Sequence, residues 1–237
     1  MEPSLLKSRW NSASFREEAI ENLIASLARK SVKSQDLRGI MIGNRGFDDL
    51  KLINLSEVEL TDVDGGLGVY SCSFQEAKIV FCDFDNSKFE FARFKSSTAN
   101  DTSFNFCNFD RPNLDDANFS KCTFNQARFT GERYSSVYGG RRSVFQDCDF
   151  SEASFKNLLF IASRFINCKF SDCKFDKCSL TGSRFEACDI SLSNFTACDL
   201  KSVSIDGVSI DQEQAGGWQD KAKKIMERLG INPDSQK

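Results

Sequence analysis

The sequence predicts an all-β solenoid, and three observations carry that prediction. From Phe74 every fifth residue is apolar: Ile79, Phe84, Phe89, Phe94, Ala99, Phe104, Phe109, Leu114, Phe119, Phe124, Phe129 and Tyr134. The pattern restarts at Phe145 and runs on the same step to Ile210, so that 18 of the 23 phenylalanines lie on one grid. Two positions ahead of most grid residues stands a small one, such as Ala77, Ala92, Ala127 or Ser163, and all ten cysteines fall there (Cys72, Cys82, Cys107, Cys122, Cys148, Cys168, Cys173, Cys178, Cys188 and Cys198). The positions between are mostly Asn, Asp, Ser, Lys, Arg and Thr, the residue types of turns and outward surfaces. A period of five is neither the 3.6 of a helix nor the 2 of a plain strand. It requires a chain that turns regularly, with the large residue and the small one two before it both pointing inward, as pleating allows.

Composition narrows the function. The 237 residues carry a net charge of −3, with 40% apolar and 27% charged residues, which excludes a disordered chain. No run of 18 apolar residues and no signal-peptide pattern over Met1–Trp10 is present, so the expected location is the cytoplasm, with no membrane partner. The chain has no histidine, and with it go the commonest general base and metal ligand. No cofactor, phosphate loop or nucleophile motif is visible, and a rod filled with Phe lacks the concave pocket that catalysis uses; a non-enzyme is predicted. The pI near 5.3 gives no basis for direct nucleic-acid binding.

Taken in order, residues 1–34 read as an N-terminal segment with a capping helix. Ser14-Phe-Arg-Glu17 has the form of a capping box, and Ile20, Leu23, Ile24 and Leu27 make one apolar stripe. The solenoid is expected over 35–212, covering its exposed strand edge with that helix. Gln35-Asp-Leu-Arg-Gly, Ile53-Asn-Leu-Ser-Glu and Val58-Glu-Leu-Thr-Asp fit the repeat, whereas Ile40 to Leu52 cannot be phased. Two interruptions are expected, near 61–71 and 131–143. The second carries Arg133, Tyr134, Tyr138, Arg141 and Arg142, types enriched at recognition hot spots; it reads either as a partner-binding loop or as a tolerated surface insertion or a kink between two stacks. Residues 213–237 read as a helix with Trp218, Ala222, Ile225, Met226 and Leu229 on one face and Gly230 as its stop, serving as a cap or as a two-fold dimer seam.

The unit small–polar–Phe–polar–polar, as in Cys148-Asp-Phe-Ser-Glu and Ala117-Asn-Phe-Ser-Lys, resembles the pentapeptide-repeat family over about three quarters of the chain. That resemblance implies a right-handed quadrilateral β-helix, four pentapeptides per coil, with short α-helices at both termini. The tail Trp218-Gln219, Leu229-Gly-Ile231, Pro233-Asp234 is similar to the C-terminal end of the quinolone-resistance (Qnr) group of that family. This second resemblance implies a DNA-mimicking protein that dimerises through its C-terminal helix, carries two loops and binds DNA gyrase or topoisomerase IV. The longer N-terminal segment departs from that group. The competing expectation is a structural or adaptor solenoid with an unrelated partner.

Three further readings bear on the surface. A 20-residue coil stacks Cys148, Cys168 and Cys188, and likewise Cys178 and Cys198; without a secretion signal they are expected as free thiols filling the core, not as a metal site. Sorted by coil, Asp83 and Asp85 fall on one face and Asp149, Glu152, Asp172 and Asp189 on another, interrupted by Lys169, while Lys156, Lys174 and Lys177 make a third face basic. That division speaks against a strongly acidic rod. Phe81, Phe91 and Phe106 stand off the grid, either packed into corners or forming an apolar contact patch.

Overall fold

The computed structural model describes residues 8–37, 41–43, 55, 59–61, 68–133, 137–190, 193–205 and 208–210. Each pentapeptide contributes one short extended segment and one corner, and four of them complete a coil. Face 1 is a parallel sheet from Ser31–Lys33 to Val203–Ile205, closed by the antiparallel strand Val208–Ile210. Face 3 is a parallel sheet from Met41–Gly43 to Asn194–Thr196. Between them, isolated parallel bridges define face 2 through Asp83, Ser103, Thr123, Asp149, Lys169 and Asp189, and face 4 through Ser73, Arg93, Asn113, Gly139, Leu159, Ser179 and Asp199. The chain is thus a four-faced parallel β-solenoid.

Phenylalanine stacking explains the period. On face 3 Phe89, Phe109, Phe129, Phe155, Phe175 and Phe195 stack ring on ring, with centroids 4.5–4.9 Å apart. Rings of neighbouring faces meet edge-on instead, as Phe84 does Phe89 at 74°, so each ring has favourable quadrupole contacts along and across the axis. The small grid lies beside the corners, where the side chain reaches a carbonyl of the preceding coil. Ser143 Oγ donates to the Leu114 carbonyl at 2.7 Å, Cys107 Sγ to Phe84 at 3.0 Å and Cys173 Sγ to Phe150 at 2.8 Å. Cysteine is therefore both filler and donor. All ten thiols are free, and burial pushes those of Cys72 and Cys173 up to about 12.

The corner residue of each repeat has a left-handed backbone, as at Asn86 (φ 63°), Gln126 (φ 56°) and Asp172 (φ 57°). Asn and Asp tolerate this region best. The neighbouring coil holds the corners in place: Asn86 N–H donates to Asn105 O at 2.9 Å and Gln126 N–H to Ser151 O at 2.9 Å.

The N-terminal helix α1 spans Ala13–Ala28 and buries Ile20 and Leu23 in the same core as Trp10, Val32 and Leu37. Two details of its sequence reading are corrected. Ser12, not Ser14, is the N-cap residue and no side-chain capping bond forms, so Ser14 and Glu17 lie within the helix. Ile24 is half exposed, while Phe15, on the opposite side of the helix, packs on the core and meets Trp10 edge-on at 5.1 Å. Arg9 locks the entry by pairing bidentately with Asp36 at 2.7 and 2.8 Å.

Register measures the interruptions. Leu60 pairs with Ile79 and Val69 with Phe89, so the coil through 61–71 is one residue shorter than regular, in keeping with the fourteen positions from Leu60 to Phe74. An insertion lies earlier. Ile42 and Leu55 are consecutive central residues thirteen apart instead of five, which is why Ile40 to Leu52 could not be phased. The interruption near 131–143 is six residues long: Phe129 pairs with Phe155, and Phe119 with Phe145, across 26 positions.

Candidate partner-binding surfaces

Both insertions leave the solenoid at one corner. Ile42 and Phe129 are central residues of face 3, and Leu55 and Gly140 are the next central residues, on face 4. Gly140 thus takes the place that the five-residue step from Phe129 assigns to Tyr134. A Cβ on Gly140 would stand 3.2 Å from both Leu114 Cβ and Phe160 Cε1, so the core there has no room for a side chain. Gly139, at φ +132°, lies so close to the Leu159 backbone that any other residue would be strained.

The loop residues singled out in the sequence separate into three kinds. Arg133 is exposed in a turn, while Tyr134 lies outside the described residues. Tyr138 folds back and meets Phe91 edge-on at 6.3 Å. Phe91 also carries the Arg111 guanidinium, whose carbon is 4.0 Å from the ring centre and which is held by Asp110 at 2.7 Å and Glu90 at 3.7 Å. Arg141 and Arg142 are engaged within the chain. They fasten the coil after the insertion to the coil before it, Arg141 donating to Asp115 from its backbone N–H at 2.8 Å and from Nη2 at 2.6 Å, and Arg142 to Asp116 at 2.7 and 2.8 Å. The hydrogen bond from Arg142 lowers the Asp116 carboxyl below its usual range.

The six-residue insertion also redraws the charge map. Asp83, Ser103, Thr123 and Asp149 follow one another on face 2, so the two acidic stripes read as separate in the sequence are one. Face 2 with its two corners carries Asp83, Asp85, Asp101, Asp147, Asp149, Glu152, Asp172 and Asp189 against Lys121 and Lys169, a net charge of −6. The described residues from Ser71 to Ile205 hold equal numbers of acidic and basic groups, so the other three faces together bear the opposite charge. The face expected to be basic is tempered, since Asp176 lies 3.8 Å from Lys156 and 3.6 Å from Lys177. The same shift adds Cys122 to the column of Cys148, Cys168 and Cys188, a neighbour that a plain 20-residue step misses.

Phe81 and Phe106, at the two edges of face 2, are 59% and 52% exposed. Among the described residues no three Cys, Asp or Glu side chains converge as metal ligands, and no helix is long and apolar enough to cross a membrane. The predicted dimer or cap positions Trp218, Ala222, Ile225, Met226 and Leu229 lie outside the described residues.

Two family models match the chain, one for pentapeptide repeats (8 copies) over residues 87–131 and one for a pentapeptide repeat region over residues 141–214. The chain belongs to the pentapeptide-repeat family. No curated protein sequence matches it. Among solved structures it is similar to a trypsin-treated form of QnrB1, a plasmid-mediated fluoroquinolone resistance protein, with 13% identity over 85% of this chain and 97% of that one and a TM-score of 0.53. It is also similar to HetL, a pentapeptide repeat protein involved in heterocyst differentiation regulation from the cyanobacterium Nostoc sp. strain PCC 7120, with 15% identity over 80% and 98% of the two chains and a TM-score of 0.43. At such identities the likeness to QnrB1 speaks for the fold alone.

Proposed function

We propose that this protein is a non-catalytic binding solenoid that presents face 2 to a DNA-binding groove of DNA gyrase or topoisomerase IV and thereby counters quinolones. The observation that carries the reading is the acidic face, net −6 along one side of a rod whose other sides are net positive. Six coils at about 4.8 Å span roughly 25 Å, or about one net charge per 4 Å, against about 1.7 Å in duplex DNA. The face is a diluted polyanion, suited to a groove that already binds DNA. QnrB1, whose fold this chain shares, is a fluoroquinolone resistance protein. In this reading the shared corner of the two insertions, with Arg133, Tyr134 and Tyr138, adds a contact beside the groove. Two copies pair through Trp218, Ala222, Ile225, Met226 and Leu229, and the protein acts in the cytoplasm.

The test is a gyrase supercoiling assay with a fluoroquinolone, titrating in the protein. Restored supercoiling supports the reading; neither protection nor inhibition overturns it. The second reading, an adaptor solenoid with another partner, is favoured by the insertion corner, which lies off the acidic face and needs no polyanion-binding groove to dock.

A further inference from the structure

Phe81 and Phe106 lie outside the stacked core of the solenoid. Both are bulky, both occupy corners with left-handed backbones (φ 53° and 58°), and both expose more than half their surface. A non-glycine residue in that region is uncommon, and Asn or Asp would suit it better. They stand on adjacent coils at opposite edges of face 2, with Asp83 and Asp85 between them and Asp101 on the coil above Phe81. Among the described residues neither ring makes an aromatic or cation contact.

The third corner phenylalanine shows what such a ring accepts. Phe91 has the same backbone (φ 54°), and the chain supplies an arginine to it: the guanidinium carbon of Arg111 lies over the ring, 4.0 Å from its centre, while Asp110 and Glu90 hold the guanidinium. The residue one coil above Phe81, where Arg111 stands relative to Phe91, is Asp101. Phe81 thus has a carboxylate in the place where Phe91 has its cation. A guanidinium satisfies both at once, pairing with the carboxylate in its plane and stacking on the ring by its face, which an ammonium cannot do.

We infer that Phe81 and Phe106, with Asp83, Asp85 and Asp101, form a docking patch for an arginine-bearing segment of a partner protein. The inference rests on the reading of face 2 as a protein-binding surface and names the side chain it selects.

The experiment uses the full-length protein and two labelled octapeptides, one alternating Arg with Gly and one alternating Lys with Gly, titrated by fluorescence anisotropy. The arginine peptide is expected to bind about fivefold more tightly than the lysine peptide. The double variant Phe81→Asn, Phe106→Asn should abolish that preference with its melting temperature unchanged or raised, since Asn suits the corner. Asp101→Asn should weaken both peptides alike. Equal binding of the two peptides to the natural protein, or a preference that survives the double variant, would overturn the inference. The titration contains no topoisomerase, so failure of the gyrase assay leaves it intact, and protection of gyrase by the double variant at full strength would sink the inference alone.

Discussion

Face 4 with its two corners and the open surface of face 2 use charged and aromatic groups in opposite ways. On and beside face 4 they are matched within the chain: Arg141 with Asp115, Arg142 with Asp116, Arg111 with Asp110 and Phe91. The insertion makes these pairings useful, because a coil lengthened by six residues has to be fastened to its neighbours to keep register. On face 2 eight carboxylates face two lysines, and two phenylalanines stand exposed in a backbone conformation that suits them poorly. Groups matched internally belong to stability. A net excess of one sign, together with unfavourable corner residues, belongs to recognition, where local rules of folding are most often broken.

That contrast can be broken most forcefully through the core both regions share. Phe109→Ala opens a gap between the rings of Phe89 and Phe129 and should cost about 4 kcal/mol, read by denaturant unfolding. Asp115→Ala should cost about 2 kcal/mol, since the carboxylate is 9% exposed and receives three groups of Arg141. Asp116→Ala, on the more exposed pair, should cost less. The double reversal Glu152→Lys, Asp172→Lys on face 2 should leave the melting temperature within about 2 °C, because surface charges contribute little to stability, while gyrase protection falls at least about tenfold.

Smaller effects sharpen the picture. Cys188 and Cys198, partly exposed near the last described coils, should be alkylated before the eight buried thiols, which should react only as the chain opens; mass spectrometry of timed samples reads the order. The lowered carboxyl of Asp116 stabilises the fold above the unfolded carboxylate range, and that contribution is lost as pH falls through its folded value. Below about pH 4 the melting temperature of Asp116→Asn should therefore fall less steeply with acid than that of the natural protein.

Much of the fold could be read from residues alone because the solenoid repeats one local rule: Phe inward, a small donor two before it, polar residues at the turns. Leu37, Leu55 and Leu60 obeyed that rule where the repeat was weak, and all three hold central places. Long-range register could not be read the same way. A six-residue insertion shifts a period of five by a single step, so Phe145 looked like a slightly late repeat while a whole extra pentapeptide length had passed. Gly140, a central residue without a side chain, carried no apolar signal to mark the resumption. Asp83 and Asp149 therefore seemed to face different sides, and the acidic surface was invisible until the pairing of Thr123 with Asp149 was known. Arg141 and Arg142 were legible as recognition types but not as clamps, since their partners lie 26 positions away.

The most direct test of the central claim is competition for gyrase between this protein and a labelled DNA duplex, run with the natural chain and with Glu152→Lys, Asp172→Lys. The account predicts that the natural chain displaces the duplex and the variant, folded to the same melting temperature, does not. Equal displacement by both, or by neither, would contradict the assignment of face 2 as the surface that stands in for DNA.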